Sequence, residues 1–153
     1  MPEIIEKTLY VSRPLLNIDD VRQWAKEQGF ESTVDDIHVT IAFSKTPIEW
    51  PKPKTTMVSN NTKNRTIKQL GEKGAIVLCF PSRILKNRWQ EFIDLGASWD
   101  FPSYMSHITM SFNKGKSNFE NVEPYIGNLE FGPEKFKEVD ENWIDNIEEI
   151  SLG

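Results

Sequence analysis

One short pattern occurs twice, and it constrains this chain more than any other feature. Ile37-His38-Val39-Thr40-Ile41-Ala42-Phe43 and Ser106-His107-Ile108-Thr109-Met110-Ser111-Phe112 both read histidine, aliphatic, threonine, apolar, small, phenylalanine after their first residue. The chain holds two histidines, and both sit in these copies. The β-branched content and the alternation read as strands. Side chains alternate across a strand, so Ile37, Val39, Ile41 and Phe43 are expected on one face, and His38, Thr40 and Ala42 on the other. In the second copy Ile108, Met110 and Phe112 are expected opposite His107, Thr109 and Ser111. Each strand then turns an apolar face to a helix layer and an imidazole with a hydroxyl to the other side.

What precedes each copy also repeats. Thr8–Arg13 alternates as a strand, with Leu9 and Val11 facing one way and Tyr10 and Ser12 the other, and Pro14 stops it. Asn17 reads as a helix N-cap, with Asp19 and Asp20 suited to the first turn. Ile18, Val21, Trp24 and Ala25 form the apolar stripe, and Gly29 the C′ position. Before the second copy, Ala75–Phe80 is apolar on both faces, the mark of a central strand covered on both sides. Ser82 caps a helix predicted over 83–95, with Ile84, Leu85, Trp89, Phe92 and Ile93 inward and Gly96 at its end. Two strand–helix–strand halves follow, giving an α/β (α+β) fold, with residues 1–153 expected to form a single domain.

The remaining segments are less regular. Ser44–Arg65 carries Pro47, Pro51 and Pro53 and a polar run, and reads as a long loop, a candidate lid or connector. Trp50 in it is a candidate stacking platform, or packs over the core edge. Thr66–Leu70, Leu129–Phe131 and Lys135–Val139 read as strands, Gly71–Gly74 and 113–117 as turns, and Asn118–Ile126 as a short helix weakened by Pro124. The tail 144–150 reads as strand or short helix.

Charge and composition exclude several classes of partner. The formal net charge is −5, whereas proteins that track long nucleic acids carry a basic face to neutralise phosphates. A small anionic ligand remains compatible. No apolar run approaches the roughly 18 residues of a membrane span. The start, Met1-Pro2-Glu3-Ile4-Ile5-Glu6-Lys7, has neither a basic n-region nor an apolar h-region. A lone Cys79 forms no internal disulfide and fits a reducing cytoplasm. No cofactor and no obligate protein partner is inferred.

A single His-x-Thr in a strand is common and uninformative. Two matched copies that use both histidines point to chemistry. Two imidazoles facing one space supply a base and an acid for phosphodiester cleavage, and the ordinary histidine pKa of about 6.5 suits both tasks. The threonine hydroxyls, roughly 7 Å from their histidines along the strand, can donate to non-bridging oxygens. His38, Thr40, His107 and Thr109 are therefore the candidate catalytic residues. Zinc would want three or four clustered ligands, and no metal site is expected. A Gly-x-Ser-x-Gly elbow and a phosphate-binding Gly-x-x-x-x-Gly-Lys loop are both missing.

His38-Val39-Thr40-Ile41 and His107-Ile108-Thr109-Met110 resemble the paired motifs of the two-histidine (2H) phosphoesterase family. Within it, Leu9-Tyr10-Val11-Ser12-Arg13-Pro14 and the stretch from Phe131-Gly132-Pro133-Glu134 to Asp140-Glu141-Asn142-Trp143 are similar to the phage anti-CBASS nucleases. The resemblance implies a bilobal fold with two pseudo-symmetric halves around a central groove, and metal-independent cleavage. It also implies the substrate: cyclic di- and trinucleotide messengers of bacterial antiphage signalling, met in the host cytoplasm. In a 3′–5′ linked ring the ribose 2′-OH is expected to attack phosphorus and leave a 2′,3′-cyclic phosphate. Around the histidines, Tyr10 and Ser12 either open onto the groove or pack at its edge. Arg13 either contacts phosphate or is a surface charge. Trp143 either stacks on a base or joins the core, and Glu141 either accepts from a base amino group or is solvated. Lys114 and Lys116 read as a solvated turn. Two alternatives stand beside this reading: an enzyme for 2′,3′-cyclic phosphates or RNA ends, and a sponge that binds cyclic nucleotides without cutting them.

Overall fold

A computed structural model describes residues 5–30, 32–70, 74–112 and 122–139. The turns expected at 71–74 and 113–117, the first four residues of the helix expected at 118–126, the tail, Glu141 and Trp143 lie wholly or partly outside them. The described part of 118–126 is not helical.

The first half is strand β1 (Glu6–Pro14), helix α1 (Ile18–Glu27) and strand β2 (His38–Glu49). After β3 (Val58–Asn60) and β4 (Thr66–Leu70), the second half follows as β5 (Ala75–Cys79), α2 (Arg83–Asp94) and β6 (His107–Phe112). Two short strands, β7 (Leu129–Phe131) and β8 (Lys135–Lys137), end the described chain. Six strands form one antiparallel sheet in the order β4-β5-β6-β2-β1-β8, and β3 pairs with β7 in a small second sheet. The fold is mixed α/β, with no described helix long and apolar enough to cross a membrane.

The expected repeat is present in the register of the strands and in where each helix starts. Pro14 is in register with His38 and Cys79 with His107. The next residue in each half, Leu15 or Phe80, donates its amide to the carbonyl just before the histidine, Ile37 or Ser106. Three residues after Pro14 and Cys79 stand the helix-capping positions Asn17 and Ser82. Ser82 accepts from the Leu85 amide at 3.2 Å, which satisfies an orphan donor of the first turn. Asn17 does not cap in this way; its amide bonds the Asn128 carbonyl and the Glu130 amide, tying α1 to β7. Gly29 and Gly96 both take positive φ (90° and 101°), a conformation that an L side chain resists.

Both helices pack on one face of the sheet. Val21, Trp24 and Ala25 of α1 and Leu85 and Phe92 of α2 meet Val39, Ile41, Ile76, Leu78, Ile108 and Met110 in one core. At about 25 cal/mol per Å² of apolar area removed from water, this continuous layer is the main stabilising term. Ile84 does not join it and is 60% exposed. Arg88 faces inward instead, because Glu134 neutralises it: Nη2 and Nε bond the two carboxylate oxygens at 2.9 Å each, and the guanidinium lies over Phe92.

The long loop begins later than expected. Ser44–Glu49 belongs to β2, and Pro47 sits inside it. Lys7 pairs with Ile48 and Leu9 with Ser44, so residues 45–47 form an irregularity opposite Thr8. Proline lacks an amide donor, and such an unpaired stretch asks for none.

Candidate active site

The two halves meet at β2 and β6, registered at Val39–Ile108. These are the middle residues of the two His-x-Thr motifs. Extending that register by one residue sets His38 across from Thr109 and Thr40 across from His107. The histidines are then diagonal neighbours, about 7–8 Å apart at the backbone for such a pair in a sheet. All four side chains line one pocket of about 200 Å³, together with Val34, Asp36 and Phe112. It opens on the sheet face opposite the helices.

Strict alternation does not hold beyond the threonines, and the departure is the same in both copies. Val11 pairs with Ala42 and Ser12 with Thr40, which leaves Ile41 as an extra residue. Ile76 pairs with Ser111 and Val77 with Thr109, which leaves Met110 as an extra residue. Each is a β-bulge, and a bulge reverses the facing of every later side chain. Ala42 therefore joins the core under the helices, while Phe43 moves to the site face and meets Tyr10 edge-on at 6.0 Å. Phe112 likewise leaves the core and stands at the pocket rim, 42% exposed. The small residue of each motif is the one that must fit beneath the sheet.

Both imidazoles are oriented by the same device. The Nδ1 of His38 bonds the Asp36 carbonyl at 2.9 Å, and that of His107 bonds the Met105 carbonyl at 2.9 Å. A carbonyl only accepts, so each Nδ1 carries the hydrogen, and Nε2 is the nitrogen that gains or loses a proton. His38 and His107 are half-buried, Thr40 is buried and Thr109 half-buried.

Tyr10 adds a third group to the first half. Its hydroxyl lies 2.9 Å from His38 Nε2 and 3.0 Å from Thr40 Oγ1. With neutral His38, Thr40 donates to the phenol oxygen and the phenol donates to Nε2. Once His38 is protonated the chain runs the other way. Burial pushes the Tyr10 pKa up to about 12, overcoming the opposing bond from Thr40, so the phenol remains a neutral donor and acceptor near neutral pH. Tyr104, whose pKa burial also raises, donates to the Thr40 carbonyl at 2.7 Å and fixes the strand behind the site.

The other residues singled out in the sequence fall in different places. Ser12 is half-buried and in register with Thr40, on the site face beside the pocket. Arg13 points the opposite way and is 3% exposed. Its Nη1 donates to the carbonyls of Thr56 (2.7 Å) and Gly132 (2.8 Å), and Nη2 lies 3.9 Å from Glu134. Trp50 follows the far end of β2, packs on Phe136 and donates to the Lys7 carbonyl. The structure brings neither Arg13 nor Trp50 to the pocket. Glu141 and Trp143 lie outside the described residues. Val34, Asp36 and Phe112 also line the pocket, and no motif in the sequence marks Val34 or Asp36. For Phe112 the available signal was the small residue before it, which a bulge can bury.

Among the described residues no three His, Cys, Asp or Glu side chains gather in one place. The polar residues lining the pocket are the two histidines, the two threonines and Asp36.

A family model, that of the anti-CBASS protein Acb1, matches residues 7–146. An anti-CBASS protein Acb1 of Sphingomonas paeninsulae is 45% identical over 148 residues, covering 90% of this chain and 24% of its own length. One from Caulobacter sp. (strain RHG1) is 41% identical, covering 94% of this chain and 24% of its own length. The chain thus spans about a quarter of these two relatives. The Acb1 of Vibrio phage KVP40 is 27% identical over 114 residues, which cover 73% of this chain and 72% of the phage protein. This chain belongs to the anti-CBASS protein Acb1 family.

Proposed function

We propose that this chain is a phosphodiesterase of the two-histidine type that opens cyclic oligonucleotide messengers, in the cytoplasm of a bacterial cell, and so counters CBASS. The observation that carries the reading is the crossed placement of two His-Thr pairs around one pocket, each imidazole held through Nδ1. Membership of the anti-CBASS family supports the biological direction.

The chemistry follows from the groups present. One Nε2 takes the proton of the attacking ribose 2′-OH, whose oxygen forms a bond to phosphorus. The bond from phosphorus to the 5′ oxygen breaks, and the other imidazole protonates that leaving oxygen. The product is a linear nucleotide with a 2′,3′-cyclic phosphate. General acid–base catalysis of this kind contributes about 10²–10⁴-fold. Thr109 donates to a non-bridging oxygen, where charge grows in the transition state, and Thr40 joins it when His38 is protonated, because the Tyr10 phenol then donates to Thr40 and frees its hydrogen. Tyr10 holds Thr40 and His38 in either protonation state. The reaction uses no metal, since two imidazoles carry both proton transfers.

The pocket, at about 200 Å³, is smaller than the roughly 300–1,000 Å³ of sites that enclose a whole ligand. It fits one phosphodiester link with its ribose, and the rest of the ring lies over the sheet face. Phe112 at the rim is placed to stack on a base, an interaction worth about 1–3 kcal/mol.

The test compares ribose and 2′-deoxyribose rings in excess chelator. The ribose ring should open, and the deoxy ring should bind but remain closed. Equal cleavage of the two would remove the 2′-OH mechanism. Binding of the ribose ring without any cleavage would favour a sponge.

A further inference from the structure

The site face continues past His107 toward the β4 edge. Cys79 is in register with His107 and Thr66 with Cys79; Val77 is in register with Thr109 and Lys68 with Val77. Thr66 and Lys68 therefore share the face that carries both His-Thr pairs. They stand two strand spacings, roughly 10 Å, from β6.

A second concavity of about 150 Å³ opens there, with Asn64, Thr66, Lys68, Pro81 and Met105 in its wall. Its chemistry differs from that of the catalytic pocket. Met105 is 54% exposed and, with Pro81, offers an apolar surface. Asn64 presents both a donor and acceptors. Lys68 is an exposed cation on a chain of net charge −5. Among the described residues no hydrogen bond or ion pair engages the side chains of Asn64, Thr66 or Lys68.

The backbone presenting these groups is anchored. Arg65, between Asn64 and Thr66, is buried and donates to the carbonyls of Asn60, Tyr125 and Gly127. Its neighbours are thereby turned outward. On the other side, Phe80 donates its amide to the Ser106 carbonyl, which fixes the floor next to His107.

We propose that this concavity is a second nucleotide subsite. In it Lys68 holds the phosphate adjoining the scissile linkage, and Asn64 and Thr66 meet the polar edge of the neighbouring base above Met105. The proposal rests on the reading of the catalytic pocket as a cyclic oligonucleotide site. A ring with its scissile phosphate between His38 and His107 overhangs that pocket, and this is a concave, cationic surface it can overhang onto.

The experiment measures KM and kcat for a cyclic trinucleotide with wild type, Lys68→Glu and the Asn64→Ala/Thr66→Ala double variant. All three substituted side chains are exposed, and circular dichroism melting checks that the variants fold. A charge-assisted contact is worth about 1.5–3 kcal/mol, so Lys68→Glu should raise KM about tenfold or more, with kcat within about twofold. The double variant should raise KM by a smaller factor that depends on the base. Unchanged KM in both variants overturns the subsite and leaves the catalytic reading standing. If wild type binds the ring without cutting it, the catalytic reading falls, and the same comparison of Kd by calorimetry decides the subsite. A wild-type protein that neither binds nor cuts the ring overturns both.

Discussion

Val39 and Ile108 face each other across the seam between the two halves of the sheet, and each is the middle residue of a His-x-Thr motif. Because a residue and its strand neighbours alternate in facing, burying this pair in the core turns both histidines and both threonines to the opposite face. The pair also fixes the crossed pattern in which each histidine looks at the other motif's threonine. Ile108 is fully buried. Ile108→Ala should cost about 2–5 kcal/mol in denaturant unfolding. Activity should fall even well below the unfolding transition, because the register that aligns the pocket is loosened.

The shared bulge gives the two phenylalanines of the motifs opposite duties. Phe43 is buried against Tyr10, so Phe43→Ala should cost about 3–5 kcal/mol of stability and disturb the phenol with it. Phe112 is exposed at the rim, so Phe112→Ala should leave the melting temperature nearly unchanged. It should raise KM about five- to tenfold, consistent with the weaker end of base stacking, and Phe112→Trp should restore it.

Tyr10→Phe removes one hydroxyl and keeps the ring that packs on Phe43. Loss of a bond of this kind costs about 1 kcal/mol, so the variant should fold. Its kcat should fall about tenfold, since His38 and Thr40 lose their shared partner.

Alkaline stability follows from the same residue. The folded pKa of Tyr10, about 12, lies above its ordinary value of 10. Its contribution is complete below pH 10 and is lost as pH rises toward 12, where the unfolded chain has released a proton that the folded chain retains. The loss is on the order of 2–3 kcal/mol. Denaturant midpoints should decline across this window in wild type and decline less steeply in Tyr10→Phe. Tyr104, raised in the same direction, supplies a further part of the decline.

Glu134 is completely buried and neutralises Arg88, with Arg13 close by. Glu134→Ala leaves buried Arg13 with no carboxylate and Arg88 with only the exposed Glu91, 2.7 Å from its Nη1, and should destabilise the fold by about 3–5 kcal/mol. Thermal melting reads the loss directly. At temperatures where the variant is folded, the pH dependence of cleavage should match wild type, because this cluster lies away from the pocket.

Much of this arrangement was legible in the sequence. The two strand–helix–strand halves followed from periodicity and caps. The facing of His38, Thr40, His107 and Thr109 followed from alternation, which holds up to the threonines. It fails one residue later, because a bulge inserts a residue without altering composition; Phe43 and Phe112 therefore land on the unexpected face. Pro47 suggested a loop where β2 continues, since a local irregularity removes the need for its amide. Arg88 and Ile84 exchange roles because Glu134, distant in sequence, supplies a buried partner that no helical stripe reveals. Arg13 became buried for a similar reason: its carbonyl partners come from two remote loops. Tyr10 is legible only as a facing direction, and its two hydrogen bonds, to His38 and to Thr40, require the register of β1 against β2.

The central claim is that the two imidazoles together open a cyclic oligonucleotide. It is tested most directly by incubating a 3′–5′ linked cyclic trinucleotide in excess EDTA with wild type, His38→Ala and His107→Ala, and resolving the products by mass spectrometry. The account predicts ring opening to a linear product ending in a 2′,3′-cyclic phosphate, with each variant slower by at least about 10²-fold. An intact ring with wild type, or undiminished opening by both variants, would contradict it.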